Sequence, residues 1–130
     1  MSWYLDSSAI LKLILIEKES PALVAFLKEP VSTSALSRVE VIRTLRRADP
    51  QKVEIGLQVL QKIWIIPINQ TALLMAENLP ADITLRTLDA LHVASAFILG
   101  QTIQGLITYD KQMAMNAKKL GIEVLSPGVK

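Results

Sequence analysis

The sequence predicts a three-layer α/β/α domain with a mainly parallel central sheet, and three observations lead to it. Short apolar runs of strand length alternate with stretches of helical periodicity along the whole chain. Serine or aspartate followed by proline opens helices at Ser20-Pro21 and Asp49-Pro50, while Gly100 and Gly121 close others. The uninterrupted apolar run Ile63-Trp64-Ile65-Ile66 is what a strand covered on both faces looks like.

Residues 2–5 read as a strand ending at Asp6, and residues 7–17 as a helix rich in Ile and Leu. Ser20 is a good N-cap before a proline, so a short helix starts there and stops at Pro30. Residues 31–33 have strand character but little length. Over residues 34–48 the spacing of Leu36, Val39, Ile42 and Leu45 is helical. A further helix through Val53, Leu57 and Leu60 begins at Asp49-Pro50 and leads into the strand at 63–66. Asn69 or Thr71 starts a helix that stops near Pro80, and residues 87–99 form another. Residues 106–109 are a strand ended by Asp110, residues 111–120 a helix, and residues 122–125 the last strand. Strand–helix alternation joined by right-handed crossovers gives parallel pairing.

The 130 residues form one domain spanning 1–130, since nothing reads as a linker. Hydrophobic residues make up 51% and aromatics only 5%, so the core is aliphatic. A mean hydropathy of +0.37 is high for a small domain and points to apolar surface covered by a second subunit or a partner. Without cysteine, disulfides, thiolate metal sites and cysteine nucleophiles are excluded, and a reducing cytoplasm is the simplest setting. No basic leader precedes Asp6, and Lys12 interrupts the apolar stretch after it, so a secretory signal is not expected. The longest uncharged stretch, residues 90–109, is broken by Gly100, Gln101, Gln104 and Gly105 and should not span a bilayer. A net charge of +2 argues little, but Arg38, Arg43, Arg46 and Arg47 crowd one short segment, either as phosphate contacts or as a solvated helix face.

In an open parallel sheet, ligands bind beyond the carboxyl ends of the strands. Asp6 and Asp110 each directly follow a predicted strand, and Asp89 lies in the first turn of its helix. Glu40 sits two turns into its helix, roughly in line with Leu36, Arg43 and Arg47. Each acid also has an ordinary explanation. Asp6 and Asp110 suit N-caps, Asp89 complements a helix dipole, and Glu40 pairs with Arg43. Taken together, four carboxylates brought close would repel unless a cation lay between them, and oxygen ligands alone select Mg²⁺ or Mn²⁺. Such an ion can activate water against a phosphodiester. His92 is the only histidine, which rules out paired-histidine catalysis; it is either packed on its helix face or hydrogen-bonded to Asp89 three residues before it. No phosphate-binding glycine loop is present, so a nucleotide cofactor is not expected. A receiver-like phosphoacceptor would need an acidic pair after the first strand and an aspartate after the third, whereas Asp6 stands alone and residues 64–69 hold no carboxylate.

Four segments then carry a resemblance: Tyr4-Leu5-Asp6-Ser7-Ser8-Ala9, Ser37-Arg38-Val39-Glu40-Val41-Ile42-Arg43, Leu85-Arg86-Thr87-Leu88-Asp89-Ala90-Leu91-His92-Val93-Ala94 and Thr108-Tyr109-Asp110. In that order and spacing they resemble the PIN-domain toxins of VapBC toxin–antitoxin modules, over essentially the whole chain. The resemblance implies an endoribonuclease dependent on Mg²⁺ or Mn²⁺, usually dimeric, neutralised by an antitoxin of VapB type whose C-terminal segment covers the active site. It places the catalytic and metal-binding positions at Asp6, Glu40, Asp89 and Asp110, with Asp6 and Asp89 as direct ligands and Glu40 and Asp110 acting partly through water. Ser7 and Thr108 match the family's small hydroxyl residues near the metal. Arg43, Arg86 and Lys111 become candidate contacts to RNA phosphates. The rival within the same fold is a non-catalytic PIN-like module that binds RNA without cutting it.

Overall fold

The computed structural model describes residues 2–130, and within them five parallel strands form one sheet in the order β3-β2-β1-β4-β5. In chain order the elements are β1 (Ser2–Leu5), α1 (Ser7–Lys12), α2 (Ser20–Phe26), β2 (Ser32–Ser34), α3 (Ala35–Ala48), α4 (Val53–Gln61), β3 (Trp64–Ile66), α5 (Gln70–Glu77), α6 (Thr87–Leu99), β4 (Ile103–Ile107), α7 (Lys111–Lys119) and β5 (Val124–Leu125). The expected three-layer α/β/α architecture is therefore present.

Alternation along the strands builds two cores. Leu5 and Ile107 point to one face, where they meet Ile10, Leu23, Val41, Leu45 and Leu60 from α1 to α4. Tyr4 and Leu106 point to the other and pack with Val93, Ala96, Met113 and Ala117 from α6 and α7. Helix ends follow local chemistry where expected. Asn69 caps α5 by accepting from the Ala72 N–H at 2.9 Å, and Gly100, at φ 50°, closes α6 in a conformation that side chains disfavour.

Several expectations need correction. The run at residues 63–66 is not covered on both faces: β3 is an edge strand, Ile63 is buried, and Trp64 is 78% exposed. On α3 the buried residues are Ser37, Val41 and Leu45, while Val39 is exposed. Ser37 can face inward because its hydroxyl lies 2.6 Å from Thr33 Oγ1, so burial leaves no polar group unpaired. The first helix ends at Lys12 rather than continuing to residue 17, and Lys12 reaches forward to Glu17 at 3.4 Å and Glu19 at 2.9 Å. Ser20 is the first residue of α2 rather than its cap. Its hydroxyl accepts from the Glu17 N–H at 2.9 Å and so fastens the loop instead of the helix. Likewise Asp49 makes no side-chain cap bond, and a 3₁₀ turn over Pro50–Lys52 precedes α4. β4 starts earlier than expected because Ile103 already pairs with Ser2, and it ends at Ile107, so Asp110 stands three residues past the strand. Among the described residues no helix is long and apolar enough to cross a membrane.

Candidate active site

The chain runs from β1 outward through β2 to β3, then returns to the opposite side of β1 to lay down β4 and β5. The order reverses between β1 and β4, which is where an open parallel sheet leaves a crevice at its carboxyl edge. Asp6 ends β1 at that crevice and is 2% exposed. Its Oδ1 accepts from the Ala9 N–H at 3.0 Å, capping α1, and from Ser8 Oγ at 2.7 Å. Its Oδ2 accepts from Thr108 Oγ1 at 2.5 Å, a bond that ties β1 to the segment after β4. Burial pushes the Asp6 carboxyl above its ordinary value, against the opposing effect of these hydrogen bonds. Thr108 Oγ1 also accepts from the Asp110 N–H at 3.1 Å, and Asp110 Oδ1 caps α7 through the Met113 N–H at 3.0 Å. The two N-cap readings are thus correct, and they coexist with a place at the crevice.

Glu40 enters from α3, in the layer on the opposite side of the sheet from α6. Its Oε1 accepts from Ser7 Oγ and lies 2.6 Å from His92 Nε2. Partial burial pushes its carboxyl up, but the hydrogen bonds from His92 and Ser7 outweigh that and hold it below the usual value. Asp89, in the first turn of α6, is shifted the other way: burial raises it first, then the negative charge of Asp110, with Glu40 adding to the same effect and His92 and Arg86 opposing. His92 does not bond Asp89, contrary to one reading of their spacing. Its ring is 1% exposed and lies between Tyr4 and Glu40.

All four predicted acids therefore lie around one rim. Asp6 and Asp110 are joined through Thr108, Glu40 is joined to Ser7 beside Asp6, and Asp89 feels the charge of both Asp110 and Glu40. Among the described residues no Lys or Arg forms an ion pair with any of them. Nor do three such groups stand close enough, as they are, to clasp one ion. The four acids offer only oxygen donors, the donor type that a hard divalent cation takes. Arg86 is exposed immediately before α6, Arg43 is exposed on α3, and Lys111 is exposed at the start of α7.

Sequence reasoning missed three contributors. Ser8 and Tyr4 hold Asp6 and His92, and only the serine had a local signal, as a hydroxyl two residues after an acid. Asn116 is fully buried; it accepts from the Thr84 N–H at 2.9 Å and donates to the Gln112 carbonyl at 2.9 Å, fixing the loop that leads to Arg86 and Asp89. A buried position for an asparagine between Met113 and Ala117 on a helix was the available clue.

An α/β/α sandwich with acids at its β1/β4 crevice matches a known class. Residues 3–119 match the family profile described as PIN domain, and the chain belongs to that family. It is 40% identical over 126 residues to ribonuclease VapC46 of Mycobacterium tuberculosis, covering 95% of this chain and 96% of that one. Within the PIN domains it therefore falls among the VapC ribonucleases. Solved structures with the same fold include a toxin–antitoxin complex from Klebsiella pneumoniae, at TM-score 0.76 and 20% identity over 97% of this chain and 98% of that one. Another is Mycobacterium tuberculosis VapC20, described as a sarcin–ricin loop cleaving toxin, at TM-score 0.75 and 15% identity over 97% and 100% of the two chains.

Proposed function

We propose that this chain is the toxin of a toxin–antitoxin pair and acts as an endoribonuclease, hydrolysing RNA with Mg²⁺ or Mn²⁺ held among Asp6, Glu40, Asp89 and Asp110. The observation that carries this reading is the gathering of carboxylates at the β1/β4 crevice, where Thr108 links Asp6 to Asp110 and Ser7 and His92 hold Glu40, with Asp89 raised by burial and by the charges of Asp110 and Glu40 against His92 and Arg86. When bound, the ion acidifies water and offsets charge that builds on the scissile phosphate. The chain's own residues do the rest. Thr108, Ser8 and the Ala9 N–H hold Asp6 rigid, and Ser7 and His92 orient Glu40. Arg86, whose charge acts on Asp89, and Arg43, exposed on α3 three residues after Glu40, are available to a phosphate backbone.

Two features support partners. The family and the fold shared with a chain of a solved toxin–antitoxin complex support a VapB-type antitoxin. Apolar side chains left open on the packed pair α5 and α6, where Leu73, Leu74, Leu88 and Phe97 are each more than a third exposed, support a homodimer. The deciding experiment is cleavage of a generic RNA by the purified chain with Mn²⁺, with and without EDTA. Cleavage that needs the metal supports the proposal. RNA binding without any cleavage across Mg²⁺ and Mn²⁺ points instead to a non-catalytic PIN-like module.

A further inference from the structure

The hydrogen bonds around His92 run across the molecule. Tyr4 belongs to β1, His92 to α6 on one face of the sheet, and Glu40 to α3 on the other. Tyr4 Oη lies 3.0 Å from His92 Nδ1, and His92 Nε2 lies 2.6 Å from Glu40 Oε1. Tyr4 is fully buried and His92 is 1% exposed, so neither ring has water to satisfy it and the protein decides which way both groups face. A carboxylate only accepts, so the proton between the imidazole and Glu40 sits on Nε2. With that proton on Nε2, the group facing Nδ1 is the Tyr4 hydroxyl, which can donate to it. Burial pushes that phenol up to about 12, which keeps its proton available.

On the carboxylate side, the Ser7 hydroxyl and His92 both fall on Oε1, while Oε2 accepts no hydrogen bond among the described residues. One oxygen is fastened and the other is open. We infer that Tyr4 locks His92 in its Nε2–H tautomer, making His92 a positioning residue that holds Glu40 with Oε1 tied down and Oε2 free for a divalent cation. This assignment rests on the proposed reading of the acidic rim as a cation site. Tyr4 acts at one remove: its hydroxyl selects the tautomer, and the tautomer aims the ring's single N–H at Glu40.

The test uses the full chain as wild type, Tyr4→Phe, His92→Leu and His92→Gln. Imidazole ¹⁵N spectra of the metal-free protein report the tautomer, and titration with Mn²⁺ alone reports affinity. The wild-type ring is expected as Nε2–H, and Tyr4→Phe, which keeps the buried ring but removes the donor, should lose that preference. Mn²⁺ affinity should fall about 10–100-fold in His92→Leu, the usual effect of removing a group that orients a ligand, and by less in Tyr4→Phe. His92→Gln should recover most of the affinity, because its amide N–H stands near the place of Nε2–H; a merely space-filling role would be met equally by leucine. Should His92→Leu fold poorly, the wild-type spectrum and Tyr4→Phe carry the test. A wild-type ring protonated at Nδ1, or unchanged Mn²⁺ affinity in both His92→Leu and Tyr4→Phe, overturns the inference and leaves the metal reading standing. A wild-type protein that takes up no Mn²⁺ overturns both.

Discussion

Replacing Asp89 with Asn separates a metal ligand from an ordinary helix-end acid. Asp89 lies in the first turn of α6, where a carboxylate that only complements the helix dipole contributes about 0.3–1 kcal/mol. Its actual surroundings work against the charge, since burial, then Asp110, then Glu40 raise its carboxyl despite His92 and Arg86. An acid whose pKa is higher in the folded than in the unfolded chain destabilises the fold once ionised. Asn keeps the shape and removes the charge, so the metal-free variant should melt at the same temperature as wild type or higher. Metal supplies the second axis. An ion at 100 times its dissociation constant, bound only by the folded state, adds about 2.7 kcal/mol. With an unfolding entropy of about 2.1 cal/mol/K per residue over 130 residues, that raises Tm by about 10 °C in wild type. The variant should show a small part of that shift and no cleavage. Differential scanning calorimetry with and without Mn²⁺, beside cleavage of a generic RNA, reads both axes. A variant that melts below metal-free wild type, keeps the full Mn²⁺ shift and still cuts RNA would refute the argument.

Three further expectations follow from the same site and surface. Hydrolysis without attack by the 2′-hydroxyl leaves 5′-phosphate ends, so end-group analysis of the products should find them, and 2′,3′-cyclic phosphates would exclude the mechanism. In EDTA the midpoint of urea unfolding should rise as pH is lowered from neutrality, because Asp6 and Asp89 have folded pKa values above the ordinary 3.8 and their protonation relieves the fold. Glu40 has the opposite sign, its value being held below 4.5, so its contribution is lost only at more acid pH; a midpoint that falls continuously on acidification from neutrality would contradict the assignment. Static light scattering at high micromolar concentration should return a mass near twice 14.3 kDa, and a clean monomer would mean that the open apolar residues of α5 and α6 serve another partner.

Asp6, Asp89, Asp110 and Glu40 could be picked out from the sequence because each carries a local signature: an acid after an apolar strand run, or an acid at a fixed place on a periodic helix. The alternation that gave the α/β/α class is local in the same sense, as are the caps at Asn69 and Gly100, since backbone conformation and the first turn of a helix depend on neighbours a few residues away. Burial and hydrogen-bond partnership are set by groups far apart in the chain. Which face of Trp64 was covered depended on β3 lying at the sheet's edge, which is a property of strand order. Ser37 replaced Val39 on the buried side of α3 because Thr33 waits across from it with a hydroxyl, a contact invisible to a hydrophobicity pattern. His92 was legible as one residue three positions from Asp89, yet its partners are 88 residues away at Tyr4 and 52 away at Glu40. Sequence chemistry thus determined which residue types were available for the site, whereas the parallel pairing of β1 with β4, with helices packed on both faces, decided which of them touch.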